Sequence, residues 1–434
     1  MFNRLSYFIS NNFFKGDKAV WMIYFFLCMI SLVEIYSASS NLTFQSGHHW
    51  KPLISQAGFL IAGFIIILLI HRIPCKFFKL LPIVLLPFSW LLLLFTKFFG
   101  SDVNTSHRWM QLGQFTFQPS ELAKTALILA VALVLAQSQV KIKIRTKNGI
   151  KTVARAISGG YSKPFKMCCW LIFPTCALIF TENFSTAAIL FTVTTAMMII
   201  GNIPRKYMWL ECGALLLLVG VAIASLFILP NSDIEKIPRA PTWKARLSNK
   251  FCPDAKVDSV ANISLQEAQK QETSALIAVS NSNIIGRGPG NSEERDFLYR
   301  AESDFIYAII IEELGVIGGI VLLILYIVLL IRVGKIAQKC DRFFPAYLVM
   351  GLGMIMVLQA FVNMGVAVGL LPVTGQTLPL ISKGGSSILI TSFNIGMILS
   401  VSRYADKVSE TRNEPAEPVS LNETDEYFSS IGMK

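Results

Sequence analysis

Charge is scarce in this chain. Only 15% of its 434 residues are Asp, Glu, Lys or Arg, while 53% are hydrophobic; a soluble domain carries about 25% charged residues. A water-soluble globular fold is therefore excluded. Histidine is nearly absent, at four residues. The eight cysteines (Cys28, Cys75, Cys168, Cys169, Cys176, Cys212, Cys252 and Cys340) form no CxxC pair and show no metal-ligand spacing. Both facts argue against a zinc site and a disulfide framework. A short signal-peptide h-region is missing too: the polar start through Lys18 runs into an apolar stretch long enough to span a bilayer.

What is present is a series of long apolar runs. They fall at 19–38, 53–71, 80–98, 119–137, 167–182, 185–201, 208–229, 305–331, 345–371 and 386–402, each near the roughly 20 residues of a spanning helix. The expected fold is an all-α polytopic membrane protein of ten transmembrane helices, with both termini on one side. The expected organisation is a terminal segment 1–18, a membrane domain 19–403 and a disordered polar tail 404–434.

The net charge of +12 would suit nucleic acid, but its placement gives a simpler account. Lys141, Lys143, Arg145, Lys147, Lys151, Arg155, Lys163 and Lys166 lie between the fourth and fifth runs with no acid among them. Smaller groups follow the second run (Arg72, Lys76, Lys79), the sixth (Arg205, Lys206) and the eighth (Arg332, Lys335, Lys339, Arg342). All four fall on one side of a ten-helix count, which the positive-inside rule assigns to the cytoplasm. The opposite side receives 99–118, 372–385 and one long extracytoplasmic loop, 230–304. A loop of that length is functional or disordered.

Three groups of residues on that side can carry chemistry. In the first, His107-Arg108-Trp109 is followed by Gln118-Pro119-Ser120-Glu121 and Lys124 at the start of the fourth helix. Pro119 suits a first turn. Glu121 and Lys124, three apart, either neutralise each other or meet substrate. Arg108 either anchors in the headgroups or forks onto a phosphate. In the second, Ser303-Asp304-Phe305 runs into Glu312-Glu313-Leu314-Gly315. Asp304 stands at the water-facing end as a general base or as an N-cap, and the two glutamates are deep enough to favour salt bridges with buried bases. In the third, Asn363, Gly365, Gly369-Leu370-Leu371-Pro372-Val373-Thr374-Gly375, Leu378-Pro379 and Ser382-Lys383-Gly384-Gly385-Ser386-Ser387 break a helix near the surface. Such backbone lines a cavity or re-enters the protein, and Lys383 there is suited to an anion. Gly286-Arg287-Gly288-Pro289-Gly290 has no strand before it, so it reads as a flexible turn and not a nucleotide site.

In this order the motifs resemble the shape, elongation, division and sporulation (SEDS) family, with its patterns RWxxLGxxxxQPSExxK, TDFxFAxxxEExG, GLLPxTGxxLP and SxGGSS. Thr242-Trp243 with Arg246, Gly288 to Ser292 and Asn394-Ile395-Gly396-Met397 are similar to the division branch more than the elongation branch. The resemblance implies a glycosyltransferase that polymerises lipid II at the outer face of the inner membrane, with Asp304 as the essential acid. It further implies Arg108, Glu121, Lys124, Lys383 and Ser387 around the substrate pyrophosphate, a single-pass class B penicillin-binding transpeptidase and other divisome proteins as partners, and no nucleic acid. A divalent cation, Mg or Mn, is an optional cofactor. An elongation polymerase, a lipid II transporter and an inactive scaffold are the alternatives.

The chain departs from the family in two places. Glu302-Ser303 and Tyr299-Arg300 replace the usual His-Thr and Pro-Glu before the aspartate, so a nearby Glu302 would raise the proton affinity of Asp304. Thr181-Glu182-Asn183-Phe184-Ser185-Thr186 replaces Gln-Pro-Asp-Leu-Gly-Thr, which questions a role for that corner.

Overall fold

The computed structural model describes residues 14–38, 50–99, 109–112, 115–146, 149–156, 161–180, 183–213, 220, 259–298 and 301–413. The long apolar runs form α1 (Lys18–Ala38), α2 (Lys51–Ile70), α3 (Leu81–Phe99), α4 (Pro119–Gln137), α5 (Ser162–Phe180), α6 (Phe184–Ile200), α8 (Ile306–Lys339), α9 (Phe343–Ala367) and α10 (Gly385–Asn413). Eight of these, all but the 17-residue α6, are long and apolar enough to cross a bilayer. Of the seventh run only residues 208–213 and 220 are described, and they are helical. The chain is a multi-pass helical membrane protein.

Helix α4 is the core of the bundle. It is buried along nearly its whole length and packs on α3, α5, α6, α9 and α10. Ala123, Ala126, Ala130 and Ala132 line it at 6% exposure or less. Small residues let helices approach closely where lipid supplies no hydrophobic drive. Gly351 of α9 serves the same crossing, since a Cβ there would stand 2.6 Å from Ile128 and from Met197.

The basic groups gather at one end of the bundle. There Arg332 pairs with Asp17 (Nε to Oδ2, 3.0 Å), Lys339 with Asp406 at 3.2 Å, and Arg403 donates to the Arg72 carbonyl at 2.8 Å. These contacts put the start of α1 and the ends of α2, α8 and α10 together. The acid-bearing turn 301–304 and the break between α9 and α10 lie at the other end.

Several expectations change. The tail is not irregular from 404, because α10 continues to Asn413. The basic segment after α4 is an antiparallel hairpin, β3 (Gln139–Thr146) with β4 (Gly149–Ala156), following a short hairpin of β1 (Met110–Leu112) and β2 (Phe115–Phe117). Alternating Lys141-Ile142-Lys143-Ile144-Arg145 carries the period-two pattern of a strand. The long loop includes α7 (Ser259–Ser280), which packs on α8.

Gly286 to Gly290 is not a flexible turn either. Helix α8 is broken at Gly315 (φ 74°, ψ 179°), and the loop is spliced into the break. Arg287 and Gly288 donate to the carbonyls of Glu312 and Glu313 at 3.1 and 2.8 Å, while Val316 and Ile317 donate to Asn283 and Ile284. The glutamate side chains close the join. Gly290 N–H donates to Glu313 Oε2 at 3.0 Å, Glu293 N–H to Glu312 Oε1 at 3.1 Å, Ser292 Oγ to Glu312 Oε2 at 2.5 Å, and Ser37 of α1 also bonds Glu313. Glu312 and Glu313 are fully buried and hold backbone N–H groups and serine hydroxyls, not the buried bases expected of them. Arg287 is 4.0 Å from Glu312 and bonds the exposed Glu293 at 2.6 Å; that contact holds the Glu293 carboxyl below its usual range.

The two chains cross too closely for a side chain at Gly286, where a Cβ would stand 2.3 Å from the Glu313 carbonyl oxygen, with φ at +81°. Gly290 has a similar φ of +88° but open space around it. Gly286→Val is therefore expected to destabilise the purified protein by more than about 2 kcal/mol and Gly290→Ala by only about 1 kcal/mol. Thermal unfolding in detergent checks this, and equal losses would contradict the splice.

Candidate active site

The site is built on a segment that leaves the helix inside the bundle. Between α9 and α10 the chain is irregular from about Gly369 to Gly384, so its carbonyls have no regular helical partners. Side chains provide them. Asn363 Nδ2 donates to Gln376 O at 2.7 Å, and Gln359 Nε2 to Thr377 O at 3.0 Å. Tyr326 donates to Pro379 O at 2.6 Å and Ser31 to Ile381 O at 3.0 Å. Leu378 O receives the N–H groups of Ile381 and Ser382.

The same segment holds the acid-bearing turn. Three consecutive carbonyls each accept one bond from it or from the end of α9: Lys383 N–H to Glu302 O at 2.9 Å, Ser382 Oγ to Ser303 O at 2.5 Å, and Asn363 Nδ2 to Asp304 O at 2.9 Å. Asp304 is partly exposed in a turn just before α8. It is not the N-cap: that position is Phe305, whose side chain makes no capping bond. Asp304 precedes the helix that carries Glu312 and Glu313.

The other predicted residues sort as follows. Lys124 and Glu121 pair at 2.8 Å, and Lys124 also donates to Gln359 Oε1 at 2.7 Å. Both are buried, at 3% and 7% exposure, so Lys124 is a fixed internal charge. Ser387 Oγ lies 3.4 Å from Thr377 Oγ1, and Ser386 accepts from Gln118 N–H at 3.3 Å, which brings the start of α4 to the same place. Lys383 is a partly exposed cation there, bound to both carboxylate oxygens of Glu302 at 2.7 and 2.8 Å. Glu302 is thus neutralised by Lys383 and is not an unpaired charge acting on Asp304. Arg108 lies outside the described residues, as do Glu182 and Trp243.

Gln359 and Gln376 were not singled out from sequence, Asn363 was grouped only with the broken segment, and Thr186 only with the corner at 181–186. The available signal was Gln359 and Asn363, one helical turn apart in an otherwise apolar run. The corner at α6 also joins the site. Asn183 caps that helix through Ser185 and Thr186 N–H, and Gln376 Nε2 donates to Thr186 Oγ1 at 2.6 Å. Among the described residues no group of three or more His, Cys, Asp or Glu is placed to hold a metal ion.

A family model described as cell cycle protein, FTSW_RODA_SPOVE, matches residues 17–407. The chain belongs to this family. It is 31% identical over 383 residues to the probable peptidoglycan glycosyltransferase FtsW of Nitrosococcus halophilus, covering 86% of this chain and 87% of that one. It is 30% identical to the FtsW of Halomonas elongata, covering 90% and 91%. In fold it is similar to a chain from a peptidoglycan synthase complex that coordinates polymerization and crosslinking (TM-score 0.67, 24% identity, covering 90% of this chain and 98% of that chain). It is also similar to the rod shape determining protein RodA of Thermus thermophilus (TM-score 0.59, 22% identity, covering 89% and 97%).

The buried Lys124–Glu121 pair makes a sharp prediction. Lys124→Met alone strands a buried carboxylate and is expected to cost about 3–5 kcal/mol. The double substitution with Glu121→Gln is expected to recover more than half of that. Unfolding of the four proteins of this cycle measures the coupling, and a double variant as unstable as Lys124→Met would refute it.

Proposed function

We propose that this protein is a peptidoglycan glycosyltransferase that joins lipid II units during septal wall synthesis. The observation that carries the reading is the tethering of Glu302, Ser303 and Asp304 to the broken segment: it fixes a carboxylate at the polar end of a membrane bundle, beside a partly exposed lysine. The bundle end opposite the basic clusters then faces the periplasm, with both termini in the cytoplasm.

Asp304 takes the proton from the acceptor sugar hydroxyl. The oxygen attacks the anomeric carbon of a donor held on undecaprenyl diphosphate, the bond from that carbon to the diphosphate oxygen breaks with its electron pair leaving on the diphosphate, and the carbon inverts. Lys383 is the cation suited to the departing charge, exchanging Glu302 for phosphate oxygens. Lys124, locked by Glu121 and Gln359, adds a fixed field and shapes the floor. Ser387 and Arg108 complete the anion site. Holding two lipid-anchored substrates in line supplies much of the remaining rate. A single-pass class B penicillin-binding transpeptidase is the partner that would crosslink the product strands.

The test is polymerisation of labelled lipid II by the purified protein with its transpeptidase partner. Asp304→Asn is expected to lower the rate at least about a hundredfold, the usual scale of a positioned general base, without loss of folding. Equal glycan from both proteins would remove Asp304 from the mechanism.

A further inference from the structure

At the end of the bundle where the basic groups gather, two neighbouring helices begin with the same pattern. Lys166 of α5 stands four residues before Trp170, and in the helical stretch 205–213 Arg205 stands four before Trp209. Residues four apart share a face. Both helices run inward from this end, so each base lies one turn, about 6 Å, farther out than its indole. All four side chains are exposed, Trp170 at 68% and Trp209 at 77%. The two helix starts are joined by Phe165 and Tyr207, whose ring centroids are 4.9 Å apart. No acid occurs in 139–170 or in 201–210 to balance the bases. The β3–β4 hairpin, with Lys141, Lys143, Arg145, Lys151 and Arg155, leaves the bundle at the same place. Its first residue, Gln139, donates to the Gly201 carbonyl and accepts from Tyr347 at 2.5 Å.

We infer that this edge of the bundle is a binding surface for anionic phospholipids, with Lys166 and Arg205 each taking a headgroup phosphate and Trp170 and Trp209 lying against the chains beneath. An exposed indole just inside a membrane-spanning run sits at the boundary of headgroups and acyl chains. The base one turn farther out is then at phosphate depth. A water-soluble acidic partner meets the bases but leaves the indoles uncovered. A zwitterionic headgroup brings its own cation against a surface that already carries no acid, so the lipid that fits has net negative charge. The surface lies at the opposite end of the bundle from Asp304 and stands whether or not that site polymerises lipid II.

The experiment places the full chain in phosphatidylcholine nanodiscs doped with a dibrominated lipid, either phosphatidylglycerol or phosphatidylcholine, and reads quenching of tryptophan fluorescence. The share due to Trp170 and Trp209 is the difference from a Trp170→Phe/Trp209→Phe protein. At equal doping, brominated phosphatidylglycerol is expected to quench that share at least about threefold more efficiently than brominated phosphatidylcholine. Lys166→Gln/Arg205→Gln is expected to remove most of this preference. Quenching by brominated phosphatidylcholine should stay unchanged in that variant, which reports an intact bundle. Lys76→Gln/Lys335→Gln removes as much charge from exposed positions elsewhere at the same end and is expected to keep the preference. Equal quenching by the two lipids in the unaltered protein overturns the inference. So does a preference that survives the loss of Lys166 and Arg205, or one that falls equally in both double variants. A share that neither lipid quenches also overturns it and assigns the edge to another membrane helix.

Discussion

Backbone that abandons the helix inside an apolar bundle must have its polar groups satisfied by its neighbours, and the stretch between α9 and α10 imposes that demand on the rest of this structure. It explains why α9, otherwise apolar, carries Gln359 and Asn363, and why Tyr326 and Ser31 point hydroxyls at Pro379 and Ile381. In a bilayer each of these carbonyls would cost several kcal/mol if unpaired. The polar side chains are therefore structural requirements first, and the site is assembled from them.

The break in α8 meets the same demand in another way. Carbonyls and amides freed around Gly315 are taken by the loop at 283–288, and the carboxylates of Glu312 and Glu313 collect the next N–H groups of that loop. The two solutions meet at residues 301–304. The spliced loop delivers the chain to that turn, and the segment after α9 ties the turn down carbonyl by carbonyl. Asp304 is thus positioned through backbone on both sides, by parts of the chain about 60 to 80 residues apart. Exchange of Glu302 for phosphate at Lys383 is compatible with this, since Lys383 N–H and Ser382 hold the turn through its carbonyls whatever the lysine side chain does.

Much of the site was legible in advance. Pro119, Glu121 and Lys124 read as the first turn of a helix, Asp304 as an acid at a helix boundary, and the Gly and Pro between 369 and 385 as broken backbone, because each is a local statement about dihedral freedom or dipole direction. What failed were inferences about partners. Glu312 and Glu313 were matched with bases and took amides, Asp304 was allowed as a cap and is none, and Glu302 was set against Asp304 but belongs to Lys383. A sequence records that a buried charge needs a partner without naming it.

The amino-acid sequence by itself determined the membrane class, the helical runs, the segregation of basic residues and the family, since these depend on hydropathy, length and short spacings summed along the chain. Only the tertiary structure decided that Gly286 and Gly315 cross, that Lys124 binds Gln359 as well as Glu121, and that the Asn363 amide nitrogen ties the Gln376 carbonyl to that of Asp304. Those outcomes turn on hydrogen-bond directions between segments far apart in sequence. An amide with two donors and one acceptor shows which of them is left over only once every neighbour is in place.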